Sequence, residues 1–126
     1  MTLHTEPRHA AAFILSEGDG HYSRDNITIQ GGTGGAGKLA AGTVVGKLTV
    51  GGNYMPSPAS GSDGSQTAGA IIIYPVDATD GDVVVAAITR VAELNGKLLS
   101  YDASVDDDTK KATKAAQLAA AGIIVR

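Results

Sequence analysis

The last third of the chain sets the tightest constraint on its fold. Two β-branched runs, Ala70-Ile71-Ile72-Ile73-Tyr74 and Val83-Val84-Val85-Ala86-Ala87-Ile88-Thr89-Arg90-Val91, are followed by Asn95-Gly96 and the pair Leu98-Leu99. An Ala-rich segment then opens with Asp106-Asp107-Asp108-Thr109-Lys110-Lys111, closes at Gly122, and gives way to Ile123-Ile124-Val125-Arg126. The two runs read as long core strands, with Pro75, Asp77, Asp80 and Gly81 at the turn between them. Asn95-Gly96 is the strongest hairpin dipeptide of the chain, and Leu98-Leu99 reads as a short strand. The Ala-rich segment reads as a helix with explicable ends. Ser104 or Asp106 is placed to accept the free N–H groups of its first turn. The three aspartates suit the positive end of the helix dipole, and Asp106–Lys110 and Asp107–Lys111 have the spacing of ion pairs. Ala112, Ala115, Ala116 and Ala119 predict a flat face lying close on a sheet, and Gly122 a left-handed helix end. Nothing in this order of elements resembles a catalytic domain.

Upstream, Ile27-Thr28-Ile29 alternates as a half-buried strand does, and residues 43–50 form a second strand pattern. Residues 31–37, almost pure glycine, have the composition of a flexible loop. Residues 51–69 are rich in Gly, Ser and Pro, and Pro56 and Pro58 oppose a regular ladder, so this stretch reads as a long surface loop. Residues 1–20 read as an N-terminal arm and residues 21–126 as one β-rich domain. Within the arm, Ala10-Ala11-Ala12-Phe13-Ile14-Leu15 is a short apolar run suited to a strand or an anchor, and Ser16-Glu17-Gly18-Asp19-Gly20 is a turn cluster. The expected class is α+β, mostly β: a small domain with one short helix near the C-terminus and an extended arm.

Composition narrows the function. A chain of 126 residues has one domain as its prior. With no Trp, one Phe and 17 Gly, its core must be built from Ile, Val, Leu and Ala. So thin a core favours oligomerisation, which buries apolar area without lengthening the chain. The net charge of -3 is interspersed, with no basic patch for nucleic acid. The absence of cysteine excludes disulfides and thiolate metal sites. Residues 10–15 are too short to span a membrane and lack a signal-peptide layout, so a soluble intracellular product without a membrane partner is expected.

Several motifs have a functional and a plainer reading. Gly32-Thr33-Gly34-Gly35-Ala36-Gly37 fits G-x-G-x-x-G, and continuing to Lys38 it fits G-x-x-x-x-G-K. A phosphate cradle needs a helix N-terminus and a hydroxyl for magnesium. Position 39 is Leu, and the residues that follow read as strand. Ile71-Ile72-Ile73-Tyr74-Pro75-Val76-Asp77 looks like an ATPase strand and acid, but without the cradle it is a core strand ending in a turn. His4, His9 and His21 are spread over the arm or just beyond it and read as solvated or partner-facing rather than as metal ligands. The charges of Asp106, Asp107 and Asp108 are explained by the helix start. Asn26-Ile27-Thr28 fits a glycosylation acceptor without a signal peptide to support it. No Ser/His/Asp arrangement with local support and no cysteine nucleophile is present, so no catalytic, cofactor-binding or metal residue is assigned and no enzyme is expected.

Two regions carry a family resemblance. The Asp106-Asp107-Asp108-Thr109-Lys110-Lys111 start, the Ala-rich helix and the apolar terminus resemble the closing Asp-Glu-Thr-Lys-Lys helix of the lambda-type phage head decoration proteins. The preceding strand pair, ending in Leu98-Leu99-Ser100-Tyr101, is similar as well. Those members have Trp-Pro where this chain has Tyr101-Asp102, and a Thr- and Pro-rich arm where it has Glu6-Pro7-Arg8-His9-Ala10. The resemblance implies a homotrimer on the outside of a virion, on local three-fold axes of the expanded shell, made in the host cytoplasm. It implies N-terminal arms that reach into the major capsid protein, which makes Thr2, Leu3, His4, Thr5, Glu6, Pro7 and Arg8 the candidate capsid-binding residues. An extended arm can add a strand to an exposed sheet edge, and three arms on one body multiply effective concentration. Two rival readings are a small nucleotide-binding domain using the 31–38 loop and another oligomeric β-domain virion subunit.

Overall fold

The computed structural model describes residues 9–18 and 22–126. Strand β6, Ala68–Ile72, lies at its centre and serves two cores. Ala70 and Ile72 project into one core, and Ala68, Ile71 and the following Ile73 into the other. A strand covered on both faces needs no polar alternation, which is why this run is continuously apolar.

The first core fills a closed barrel. Its strands follow the order β2 (Arg24–Ile29), β5 (Tyr54–Pro56), β4 (Val44–Lys47), β6 and β8 (Val83–Ile88). Ile27, Ile29, Val45 and Ala87 join Ala70 and Ile72 inside. β2 and β8 pair antiparallel over their full length, whereas β2 meets β5 at one parallel bridge, Ile29 to Tyr54. A two-stranded pair, β3 (Lys38–Leu39) with β7 (Val76–Asp77), is hydrogen-bonded beside the barrel.

The second core lies between the barrel wall and a layer made of the sheet β1 (Ile14–Glu17), β9 (Ala92–Leu94) and β10 (Ile123–Val125) with helix α1 (Asp108–Ala120). Phe13, Leu94, Leu99, Leu118 and Ile123 fill it. From Phe13 onward, the stretch read as an arm supplies a buried core residue and a sheet strand, since β1 pairs antiparallel with β9. Arg24 donates two hydrogen bonds to the Glu17 carboxylate, at 2.9 and 3.1 Å, and so ties β1 to the start of β2.

The class is the mostly-β α+β expected, with one α-helix, near the C-terminus, among the described residues. Several local expectations are corrected. The run ending at Val91 is two strands, not one: β8 stops at Ile88, and Val91 adopts a φ of 45° before β9 starts in the other sheet. Buried Ser23 and Gly18 hold this kink by hydrogen bonds to the Val91 carbonyl. Asn95-Gly96 makes no hairpin. The Asn95 side chain caps a 3₁₀ turn, Gly96–Leu98, so Leu98-Leu99 is no strand, and Leu99 drops into the core. The second upstream strand is shorter than residues 43–50, and the 51–69 stretch contains β5. The helix is capped by Asp107, not by Ser104 or Asp106. Asp106 pairs with Lys110 at 2.8 Å as expected, but Lys111 lies over the Tyr101 ring instead of pairing with Asp107. Nor do the alanines form the packing face. Ala112, Ala116 and Ala119 are exposed and Ala115 is half-buried, while Lys114 and Leu118 face inward.

Candidate functional site

The candidate capsid-binding residues Thr2, Leu3, His4, Thr5, Glu6, Pro7 and Arg8 lie outside the described residues, as do His4 and His21 of the histidine set. The residues that follow them, from His9 onward, are described. The Ala11 N–H donates to the Ile73 carbonyl at 3.2 Å, at the far end of β6. Ala11 has a φ of 62°, and two turn bonds flank it, from the Ala12 N–H to the His9 carbonyl and from the Ile14 N–H to the Ala11 carbonyl. A left-handed alanine is strained by about 1 kcal/mol. It persists here because Phe13, only 1% exposed, fixes the chain on one side and Ile73 on the other. The C-terminus lies alongside: the Asn95 N–H donates to the Phe13 carbonyl at 2.8 Å, and the Gly96 N–H to the Arg126 carbonyl at 2.9 Å.

The 31–38 loop follows β2 as the motif demands but does not form a cradle. Its amides are engaged internally: Gly31 on the Asp82 carboxylate at 2.9 Å, Gly32 on the Ala78 carbonyl, Gly35 on the Gly32 carbonyl and Ala36 on the Gln30 carbonyl. A phosphate needs several convergent free N–H groups, usually at a helix start. Here an acid already occupies the first amide, and the loop runs into β3 rather than a helix, with Lys38 exposed on that strand. Among the described residues, no three His, Asp or Glu side chains gather in a way that could hold a metal ion.

The 51–69 stretch is secured by side chains from α1 and from the segment before it. Lys114 reaches it from α1 and is 1% exposed. Its ammonium donates to Ser57 Oγ at 2.9 Å and to the carbonyls of Pro58 and Gln66, each at 2.6 Å. One helical turn on, Gln117 Oε1 accepts the Ala68 N–H at 2.8 Å. The Ser104 hydroxyl accepts the Ala59 N–H at 2.9 Å, and the Thr49 N–H donates to the Asp63 carbonyl at 2.8 Å. Within the apex, the Asp63 carboxylate accepts from the Ser65 hydroxyl and N–H, which holds its pKa below the ordinary carboxylate value. Burial pushes the Lys114 pKa down, against a smaller opposing pull from Asp102. Ser60 to Asp63 remain exposed.

Sequence reasoning missed Lys114 and Gln117, although a signal was present. Leu118 is the one large apolar side chain of the helix, so its stripe marks the inward face. Lys114 lies four residues before it, on that stripe.

A protein-family model described as Bacteriophage lambda head decoration protein D matches residues 3–123. The match takes in nearly all of the candidate arm residues, both glycine-rich stretches, the barrel and the helix. No curated protein matches the chain. With nearly its whole length covered, the chain belongs to the bacteriophage lambda head decoration protein D family.

Proposed function

We propose that this head decoration protein assembles as a homotrimer on the outer surface of a phage head, at three-fold sites, and cements the expanded capsid. Residues 2–8 of each copy would be the anchor in the major capsid protein. The family match over residues 3–123 carries this reading. Physical features of the chain support it. The body has a single Phe and no Trp, and leaves Leu15, Tyr22, Val84 and Ile124 exposed, so association would bury apolar area that the fold does not. Residues 2–8 hold one aliphatic side chain, Leu3, and are poorly equipped to pack on their own domain. The strained turn at Ala11, wedged between Phe13 and Ile73, gives the segment a fixed point of departure. Three such segments on one rigid body turn weak single contacts into slow dissociation.

The test is co-sedimentation with mature and immature empty capsids, alongside light scattering of the free protein. Light scattering should give three times the chain mass of 12.7 kDa. Deleting residues 1–8 should leave that mass and the melting temperature nearly unchanged and weaken decoration by about 100-fold or more. A stable monomer at micromolar concentration would refute the trimer. A truncated protein that decorates as tightly as the full chain would move the anchor to the folded body.

A further inference from the structure

Lys114 is a charge buried without an acid among its hydrogen-bond partners. All three acceptors belong to the surface loop of residues 57–67, and two of them are backbone carbonyls. A buried cation satisfied only by neutral oxygens gains less than it loses in desolvation, and the downward push on its pKa has that sign. An apolar side chain of similar length would avoid that penalty but would leave the Ser57 hydroxyl and the Pro58 and Gln66 carbonyls without this donor. What Lys114 supplies instead is a single shape for the loop. Its ammonium draws together Ser57, Pro58 and Gln66, nine residues apart along the chain, and with Gln117 and Ser104 it leaves the apex, Ser60 to Asp63, exposed together with Thr67. A 19-residue stretch rich in Gly, Ser and Pro has few apolar side chains with which to order itself. Here the order is imposed from the helix.

We propose that the 57–67 loop is a second head-binding surface and that Lys114 is its positioning residue, holding the loop in its bound shape before contact. This rests on the reading of the protein as a capsid-binding trimer. The loop enters β6 at Ala68 and the arm is rooted on Ile73, so the two contacts lie at opposite ends of one strand. Five strand residues span about 16 Å, and seven extended residues reach about 23 Å, so one copy can engage the capsid protein at both points. The apex presents hydroxyls, backbone groups and one carboxylate, which suits a polar protein surface rich in hydrogen-bond donors. Preorganisation is what such a contact requires, because ordering a glycine-rich loop on binding would consume its affinity.

The test uses the full chain and Lys114→Met, which keeps the length and removes the charge. Amide exchange of Ala59, Gly64, Ser65 and Thr67 should accelerate about tenfold or more, while exchange in β2 and β8 stays as in the wild type. The melting temperature should fall by about 3–10 °C, because three acceptors lose their donor. Decoration of mature capsids should weaken about tenfold with the free mass unchanged. If Lys114→Met fails to fold, Lys114→Gln, which keeps N–H donors without the charge, is read in the same way. Unchanged exchange in the loop would overturn the positioning role. Loosened exchange with unchanged decoration would overturn the loop as a contact. A wild-type chain that does not bind capsids would overturn the proposed function itself, and that control tells the two failures apart.

Discussion

Residues 31–37 and residues 51–69 share a glycine-rich composition and are held in different ways. The first loop is secured mainly by backbone groups, within itself through Gln30 and Gly32 and on the β7–β8 turn through Ala78, with the Asp82 carboxylate added there. The second is secured by side chains on a helix about 50 residues away in sequence, chiefly Lys114 and Gln117. Local composition describes both as flexible. Whether a loop is ordered depends on donors and acceptors that composition does not locate. Both loops depend on partners about 50 residues away in sequence, which reach the first largely through backbone groups and the second through side chains.

The hardest test of that difference is at the base of each loop, where backbone meets backbone. A Cβ at Gly31 would lie 1.9 Å from the Gly81 carbonyl oxygen, and one at Gly46, on β4, 2.2 Å from the Ser65 carbonyl oxygen. Neither neighbour is a side chain that can swing aside. Gly31→Ala and Gly46→Ala should each cost more than about 3 kcal/mol, seen as a fall in melting temperature of about 10 °C or more. By contrast, Gly34 has a φ of 77° and nothing within 4 Å of its Cβ position, so Gly34→Ala should cost about 1 kcal/mol, from backbone strain alone. If Gly31→Ala were as mild as Gly34→Ala, the first loop would not be the close-packed turn described.

The next largest effects separate the two loops by their anchors. Gln117→Ala leaves the Ala68 N–H, at the entry to buried β6, without its acceptor, and should cost about 1–3 kcal/mol. Its exchange signature should appear in the second loop and not in the first. Asp82→Ala frees the Gly31 N–H and the Asn53 side-chain amide at exposed sites where water can replace the carboxylate, so about 1 kcal/mol is expected, felt in the first loop and at Asn53 but not in residues 57–67. Loosening of residues 57–67 by Asp82→Ala, or of the first loop by Gln117→Ala, would show that the two loops are one cooperative unit.

Whether a cause is local or remote separates what was legible in the sequence from what was not. The cores of β6 and β8 were legible because their apolar, β-branched runs are carried by their own residues. The helix and its Asp106–Lys110 pair were legible because an i,i+4 relation is local. The break at Val91 was not, because its cause is remote: Ser23 and Gly18, far upstream in sequence, bind the carbonyl that turns the chain. Asn95-Gly96 misled for a related reason. The Gly96 N–H is taken by the C-terminal Arg126 carbonyl, which stabilises a 3₁₀ turn over a hairpin. The alanines misled because small side chains suit either close packing or an exposed helix face, and here Leu118 and Lys114 decide which side turns in. The arm's candidate residues were assigned through the family resemblance, not from any spacing within the chain.

Acid should act on both loops alike and more weakly. Asp63 at the apex of the second loop and Asp77 beside the first each accept from a hydroxyl and an N–H two residues on, from Ser65 and Thr79 respectively. Those bonds hold both pKa values below the ordinary 3.8. A depressed carboxylate stabilises the fold fully above its unfolded pKa, and that contribution is lost as pH falls through the folded value. Amide exchange at Ser65 and Thr79, corrected for intrinsic rates, should therefore be flat from pH 7 to pH 5 and rise only below about pH 4. Loosening of one loop near neutral pH would mean that some other titrating group controls it.

The smallest expected effect is the one that most sharply tests the first loop's chemistry. Lys38 closes the G-x-x-x-x-G-K pattern, and its side chain is exposed on β3. Had the loop been a phosphate cradle, this lysine would be its principal cation, and its removal would abolish nucleotide binding. The amides that would share that task are already bonded to Asp82, Ala78, Gly32 and Gln30, and Leu39 stands where a magnesium-binding hydroxyl belongs. Lys38→Ala should change stability by less than about 0.5 kcal/mol, as surface substitutions usually do. Decoration of capsids should be unaffected, and magnesium-ATP should leave the melting temperature of both forms unchanged. A rise in melting temperature with magnesium-ATP in the wild type that Lys38→Ala removes would show that the loop can rearrange to free its amides. The contrast between a loop held largely by backbone groups and one held by side chains would then fail at its simpler end.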